Sequence, residues 1–352
     1  MSSTEKIKIG ITIGDYNGVG LEVILKAFSD NRLFDYCTPI VYGSTKIIAY
    51  HKKVLNIDTV NHQQLKPDTL PAAKTLNVVN CIDENAIINL GTASPQAGDA
   101  ALIALDAAMK DLKEGTIDAL VTAPLDKSLI KPKTGTFTGH TEYIANYFGV
   151  AETVLLLTCD FIKVGLVTNH IPVKEVAAAL TTKKILTKIE ILNESLFKDF
   201  GISKPKIAVL GLNPHAGDNG LLGTEEKEII LPAIKKAQEN GILAYGPYAA
   251  DGLMGSGQYD KFDVVLAMYH DQGLVAFKSL CFGSGVNFTA GLPVVRTSPD
   301  HGTAFDIAGK DLALSDSFRE AVFTAIDITR NRKDYAAITT NPLKKQKIES
   351  ER

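Results

Sequence analysis

The chain has 352 residues, 45% hydrophobic and 22% charged, which is enough for a sizeable core and more than one average domain, so two lobes are expected. A formal net charge of -3 gives no basic field for nucleic acid, and no Lys/Arg-rich block interleaved with aromatics occurs. A phosphorylated ligand would have to be caught by a local cluster of donors. Cys37, Cys81, Cys159 and Cys281 are scattered, with no CxxC pair. They read as small buried hydrophobes of a reducing compartment, and as neither zinc-thiolate ligands nor a disulfide frame. The opening MSSTEKIKIGITIGD has no apolar leader and no stretch reaches the length of a membrane span, so a cytoplasmic protein with no membrane partner is expected.

In chain order, the apolar run Ile7–Ile13 predicts a first strand, and the glycine turn GDYNGVGLE (Gly14, Gly18, Gly20) leads into a helix over Gly20–Phe28. These glycines do not fit GxGxxG, so they are read as a turn with a close backbone approach. Strands follow at Pro39–Tyr42 and Leu76–Val79, then a helix over Pro95–Leu112 with Ala101, Leu105, Ala108 and Leu112 on one stripe and Asp106, Lys110 and Lys113 facing away. A strand at Ala119–Thr122 precedes the polar break Lys131–Gly135, which places a lobe boundary near residue 130. Beyond it come a helix at Thr141–Tyr147, strands at Val154–Thr158 and Val164–Thr168, and a helix at Lys183–Phe200. A strand at Ile207–Leu210, a helix at Thr224–Asn240, a strand at Val264–Met268 and a helix at Ser315–Asn331 complete the pattern. Such alternation argues for α/β layers with a largely parallel sheet. The expected lobes are 1–130 with 258–343, and 131–257, with a return near Gly252–Gly257 and a frayed tail at 344–352.

Of seven histidines, five sit in small-residue, turn-forming contexts: His140, His170, His215, His270 and His301. Three of these terminate strand-like runs, KVGLVTNH, KIAVLGLNPH and FDVVLAMYH. In open α/β sheets ligands collect at the carboxyl ends of strands. Three imidazoles delivered there would form an open tri-histidine metal site, with positions left for water or substrate. A lone histidine in such a place is ordinarily a loop residue or a cap; three with one strand-to-turn grammar favour the metal. They can meet only through tertiary structure or across a subunit interface. Asp271, next to His270, and Asp251 could each orient a histidine through its second nitrogen, with a turn cap the ordinary reading for Asp251.

Gly139-His140-Thr141 opens a helix, where free backbone N–H groups favour an anion. The ordinary alternative is a Thr N-cap with Glu142 in the first turn. Lys278, Asn287 and Arg296 lie in a glycine-rich, poorly helical stretch just after YHDQG, a further possible anion site.

The runs ITIGDYNGVGLEV, TGHTEYIA, NHIPVKEV, LNPHAGD, YHDQGL and VNFTAGLPVVRTSPDHGTAFDIAG span Ile11 to about Gly309. As an ordered set they resemble the signature segments of the 4-hydroxythreonine-4-phosphate dehydrogenase family. The resemblance implies that His170, His215 and His270 bind a divalent cation (zinc, magnesium or cobalt) in a site shared between the subunits of a homodimer, with Asp271 beside it. It implies that His140, Thr141, Lys278, Asn287 and Arg296 contact a small phosphorylated amino acid. DHGTAFDIAG is similar to the HGSAPDIAG-type loop of isocitrate and isopropylmalate dehydrogenases, which implies that His301, Gly302, Thr303 and Ala304 line an NAD or NADP site. It also implies their two-lobed α/β/α fold, with the active site in the cleft between lobes. The family more often reads GDPAGIGPE where this chain has Gly14–Glu22 (GDYNGVGLE), and PISK-like text where it has Ala123-Pro124-Leu125-Asp126-Lys127. Other activities considered are a phospho-threonate or phospho-erythronate dehydrogenase on the same scaffold, disfavoured by Leu274, a phosphate acyltransferase-like enzyme, and a non-catalytic binding module.

Overall fold

A computed structural model describes residues 6–130, 137 and 139–341 of the chain; the expected break at 131–135 and the tail at 344–352 lie outside the described residues. The strands are β1 (Ile7–Thr12), β2 (Cys37–Gly43), β3 (His62–Gln64), β4 (Leu76–Asn80), β5 (Ala119–Thr122) and β6 (Val154–Thr158). They continue with β7 (Lys163–Leu166), β8 (Lys206–Leu210), β9 (Leu243–Tyr248), β10 (Val264–Ala267), β11 (Val286–Ala290) and β12 (Val295–Pro299). All belong to one sheet, in the order β3-β4-β2-β1-β5-β12-β11-β6-β7-β10-β8-β9. Pairing is parallel except at the centre, where β11 runs antiparallel to β12 and β6, and β6 to β7.

The sequence explains these elements locally. In β1, both Ile9 and Ile11 and the intervening Gly10 are buried, the continuous burial of a parallel strand covered on both faces. The helix Pro95–Glu114 starts where the Ser94 hydroxyl accepts the Ala97 N–H at 3.2 Å with Pro95 in the first turn, and stops at Gly115, whose φ of 75° few other residues adopt. Its predicted stripe is buried and packs on β1, β2 and β5; truncating Leu105 there would cost about 2–5 kcal/mol.

This is the expected mixed α/β architecture with a largely parallel sheet. One half, β3-β4-β2-β1-β5-β12, comes from the amino-terminal residues plus one late strand, and the other half from residues 154–290. The helix Asp316–Thr339 packs on β1, β5, β11 and β12 and so straddles the junction. Because β10 lies between β7 and β8, the chain returns to the first half of the sheet at β12 and not near Gly252–Gly257. Lys278 lies near the end of a helix, His270–Leu280, and Asn287 and Arg296 lie on β11 and β12, so the stretch read as poorly helical is helical only at its start and carries two strands. The cysteine reading also needs correction: Cys159, just after β6, and Cys281, just after the helix His270–Leu280, form a disulfide with a Cα–Cα distance of 6.5 Å, while Cys37 and Cys81 are free. Among the described residues, no helix is long and apolar enough to cross a membrane.

Candidate functional site

β7, β10 and β8 are parallel neighbours, so the segments leaving their carboxyl ends emerge along one edge of the sheet. His170 and His270 meet there, with ring centroids 6.0 Å apart. His270 Nδ1 lies 2.7 Å from Asp271 Oδ1, a pairing that fixes the ring and leaves Nε2 for a ligand. His170 Nδ1 lies 3.7 Å from Glu142 Oε1. His215 follows β8 on Pro214–Gly220, a segment in which it adopts the left-handed region at φ 53°. Buried Glu226 anchors the approach to that segment, accepting the N–H groups of Leu212 at 2.8 Å and Asn213 at 2.7 Å. His215 itself is exposed and lines neither of the cavities described below. Among the described residues, no group of three or more His, Cys, Asp or Glu side chains is placed to hold a metal. One chain thus brings together two of the three predicted imidazoles. Two imidazoles, each facing a carboxylate, suit a divalent cation once a third donor is supplied.

The two histidines stand at one wall of a cavity of about 280 Å³ that both halves of the sheet line. His140, Thr141, Lys278, Asn287, Arg296, His301 and Gly302 also face it. Arg296 on β12 is only 3% exposed. Its Nε and Nη2 donate to Thr122 Oγ1 at 3.2 and 2.6 Å, and among the described residues no carboxylate lies within ion-pair distance. Burial draws its pKa down to about 10, opposed by the Glu142 charge, so it stays positive at neutral pH. A buried guanidinium without a counter-ion is costly unless an anion joins it.

Burial, then the charges of Arg296 and Lys127, holds the His140 imidazole well below its usual pKa and therefore neutral. Glu142 is held below the usual range, chiefly by its polar contact with His170. Lys278 Nζ pairs with Asp300 Oδ1 at 3.2 Å; burial raises the Asp300 pKa, and the Lys278 charge opposes the rise. Asn287 Nδ2 donates to the Pro299 carbonyl at 3.3 Å. The helix His140–Tyr147 has Gly139 at its N-cap, which offers no side chain to cap it; the Glu142 carboxylate takes its own N–H, and the earlier N–H groups of the turn point where an anion could bind. Thr141 is inside the helix, its hydroxyl 3.5 Å from that of Thr289, and is not the cap.

A second cavity of about 300 Å³ is walled largely by apolar side chains, among them Val19, Val23, Phe282, Ile307, Leu312 and Leu314. It shares Lys278, Asp300 and His301 with the first cavity. Ala304 lines it, whereas the Thr303 carbonyl accepts the Val19 N–H at 3.0 Å. A Cβ at Gly18 would sit 2.7 Å from that carbonyl oxygen. This is the close approach the early glycines announce: their turn packs directly on the Asp300–Ala304 loop.

Sequence reasoning gave no role to Thr122, Lys127 or Asp300, all of which line the first cavity. Asp300 carried a signal, standing immediately before His301 in PDHGT; Lys127 and Thr122 are connected to the site only by the fold.

Residues 35–325 match the family described as pyridoxal phosphate biosynthetic protein PdxA. A protein of Bacteroides thetaiotaomicron called 4-hydroxythreonine-4-phosphate dehydrogenase is 53% identical over 98% of this chain and 94% of its own length. One of the same name from a Sulfurihydrogenibium species is 42% identical over 93% of this chain and all of its own. The crystal structure of 4-hydroxythreonine-4-phosphate dehydrogenase from Klebsiella pneumoniae superposes with a TM-score of 0.82 at 33% identity, covering 93% of this chain and 99% of that one. By both its sequence and its fold, this chain belongs to the pyridoxal phosphate biosynthetic protein PdxA family.

Proposed function

We propose that the protein is an oxidoreductase acting on 4-phosphooxy-L-threonine. It oxidises the secondary alcohol to a β-keto acid that loses carbon dioxide to give 3-amino-2-oxopropyl phosphate, a step towards pyridoxine 5'-phosphate. The observation that carries this reading is Arg296, buried and lacking a counter-ion in a cavity it shares with His140, Lys278 and Asn287. That cavity suits a small molecule bearing strong negative charge, and the relatives named above are called after one.

In this reading Arg296, locked by two hydrogen bonds to Thr122, is a preformed anchor, so little orientation is lost when the anion binds. His140, kept neutral, can donate one hydrogen bond without adding charge. Asn287 and Lys278 supply further donors, and binding energy gathered at these remote groups orients the reacting carbon. His170 and His270 would hold a divalent cation, and its chemistry there would be Lewis-acid polarisation of the substrate oxygen. We place the third imidazole, His215, in the site of the opposite protomer of a homodimer; its exposure and its separation from the other two support this. The apolar cavity beside His301 and Ala304 would take NAD or NADP, which supplies the hydride acceptor.

The test is reduction of NAD or NADP on 4-phosphooxy-L-threonine, run alongside the corresponding phospho-threonate. Turnover on the amino acid, lost with a chelator and regained with zinc, magnesium or cobalt, is expected. Turnover confined to the hydroxy acid, or unaffected by the chelator, contradicts the reading.

A further inference from the structure

The charges around the polar cavity do not balance. Three cations line it, Arg296, Lys127 and Lys278, against two carboxylates, Glu142, which faces His170 at 3.7 Å, and Asp300, which pairs with Lys278 at 3.2 Å. Arg296 and Lys127 have no carboxylate within ion-pair distance among the described residues.

Lys127 opens a single 3-10 turn, Lys127–Leu129, that Asp126 caps by accepting the Ser128 N–H. An exposed lysine is ordinarily a solvated surface group, but this one turns inward. A Cβ built on Gly139 would lie 2.9 Å from Glu142 Oε2 and 3.2 Å from Lys127 Nζ, so the ammonium stands beside that carboxylate over the start of the helix His140–Tyr147. His140 experiences the positive charge of both Lys127 and Arg296, which places the two cations about one imidazole.

We propose that Lys127 is a further substrate-binding residue, which with Arg296 holds the phosphoryl group. The inference rests on the phosphorylated-substrate reading above. Two cations with only the Glu142 carboxylate near them, beside a helix start, suit an anionic tetrahedral group. Lysine suits the task as a mobile point charge, while Arg296 provides the fixed planar donor.

The experiment measures binding of inorganic phosphate and of acetate to the full-length protein by calorimetry at pH 8, for the parent, Lys127→Gln and Lys127→Arg. Lys127→Gln should weaken phosphate binding by about tenfold or more, in line with loss of a charge-assisted contact, and acetate binding far less. Lys127→Arg should restore most of the affinity. With 4-phosphooxy-L-threonine, the Gln variant should raise KM by a similar factor while kcat and the KM for NAD stay close to the parent values, a split that general loss of structure would not produce. If Lys127→Gln binds phosphate as tightly as the parent, Lys127 has no such role, although the substrate reading survives. If the parent itself binds no phosphate, that reading fails and takes this inference with it.

Discussion

The two cavities are neighbours with opposite chemistry. One is lined by guanidinium, ammonium, imidazole and amide groups gathered from both halves of the sheet. The other is walled largely by apolar side chains, from the first helix and the segments around Phe282 and Leu312. Lys278, Asp300 and His301 belong to both. The difference teaches how the fold would divide recognition on the proposed reading: charge to fix the substrate where strand ends converge, and an apolar slot at the glycine turn for the flat rings of a cofactor.

The comparison can be broken most severely at Arg296. Arg296→Met should lower kcat/KM on 4-phosphooxy-L-threonine by about a hundredfold or more, as loss of a buried charge contact does, while NAD affinity measured by fluorescence stays within about twofold. Equal losses for both ligands would mean that the cavities do not act separately. Gly18→Val addresses the other side. Its Cβ would press on the Thr303 carbonyl, displacing the loop that carries His301 and Ala304, and should raise the KM for NAD by about tenfold. Phosphate binding, measured by calorimetry, should be nearly unchanged.

The smallest effect on function is expected at Asp15, in the glycine turn whose Val19 lines the apolar cavity. Asp15 is 0% exposed; its Oδ1 accepts the Asn17 N–H at 2.8 Å, and its Oδ2 is buried without a partner among the described residues. Burial raises its pKa to about 6 from 3.8. Below the unfolded value both states carry the proton and the group costs nothing. As pH rises towards the folded value the unfolded chain releases its proton first, so native stability is lost, levelling off above about pH 6. At about 1.4 kcal/mol per unit the loss approaches about 3 kcal/mol. Asp15→Asn keeps the Oδ1 acceptor and removes the charge. Its stability advantage in urea melts should therefore grow between pH 4.5 and 7.5, and an advantage independent of pH would contradict the assignment.

Much of the frame is legible in the sequence because it depends on local periodicity. The runs at Ile7, Val154 and Val264 are continuous apolar stretches, and the stripe from Ala101 to Leu112 is helical. The placement of His170 and His270 follows from strand ends, since parallel neighbours must present their termini together. β11 and β12 are hidden because they are short, buried along nearly their whole length and carry polar Asn287 and Arg296, so they show no alternation to read. The pairing of Cys159 with Cys281 joins residues 122 apart in sequence, a contact that no spacing rule predicts. Lys127 is hidden for the same reason, as its partners lie on segments it meets only after folding. The separation of His215 from the other two imidazoles depends on a left-handed turn that Asn213-Pro214-His215 does not dictate.

The most direct test compares NAD reduction on 4-phosphooxy-L-threonine with that on unphosphorylated 4-hydroxythreonine, using the metal-loaded protein. The account predicts turnover on the first and a kcat/KM lower by at least about a hundredfold on the second, because Arg296 and its neighbours would have no anion to hold. Equal turnover on both would contradict it.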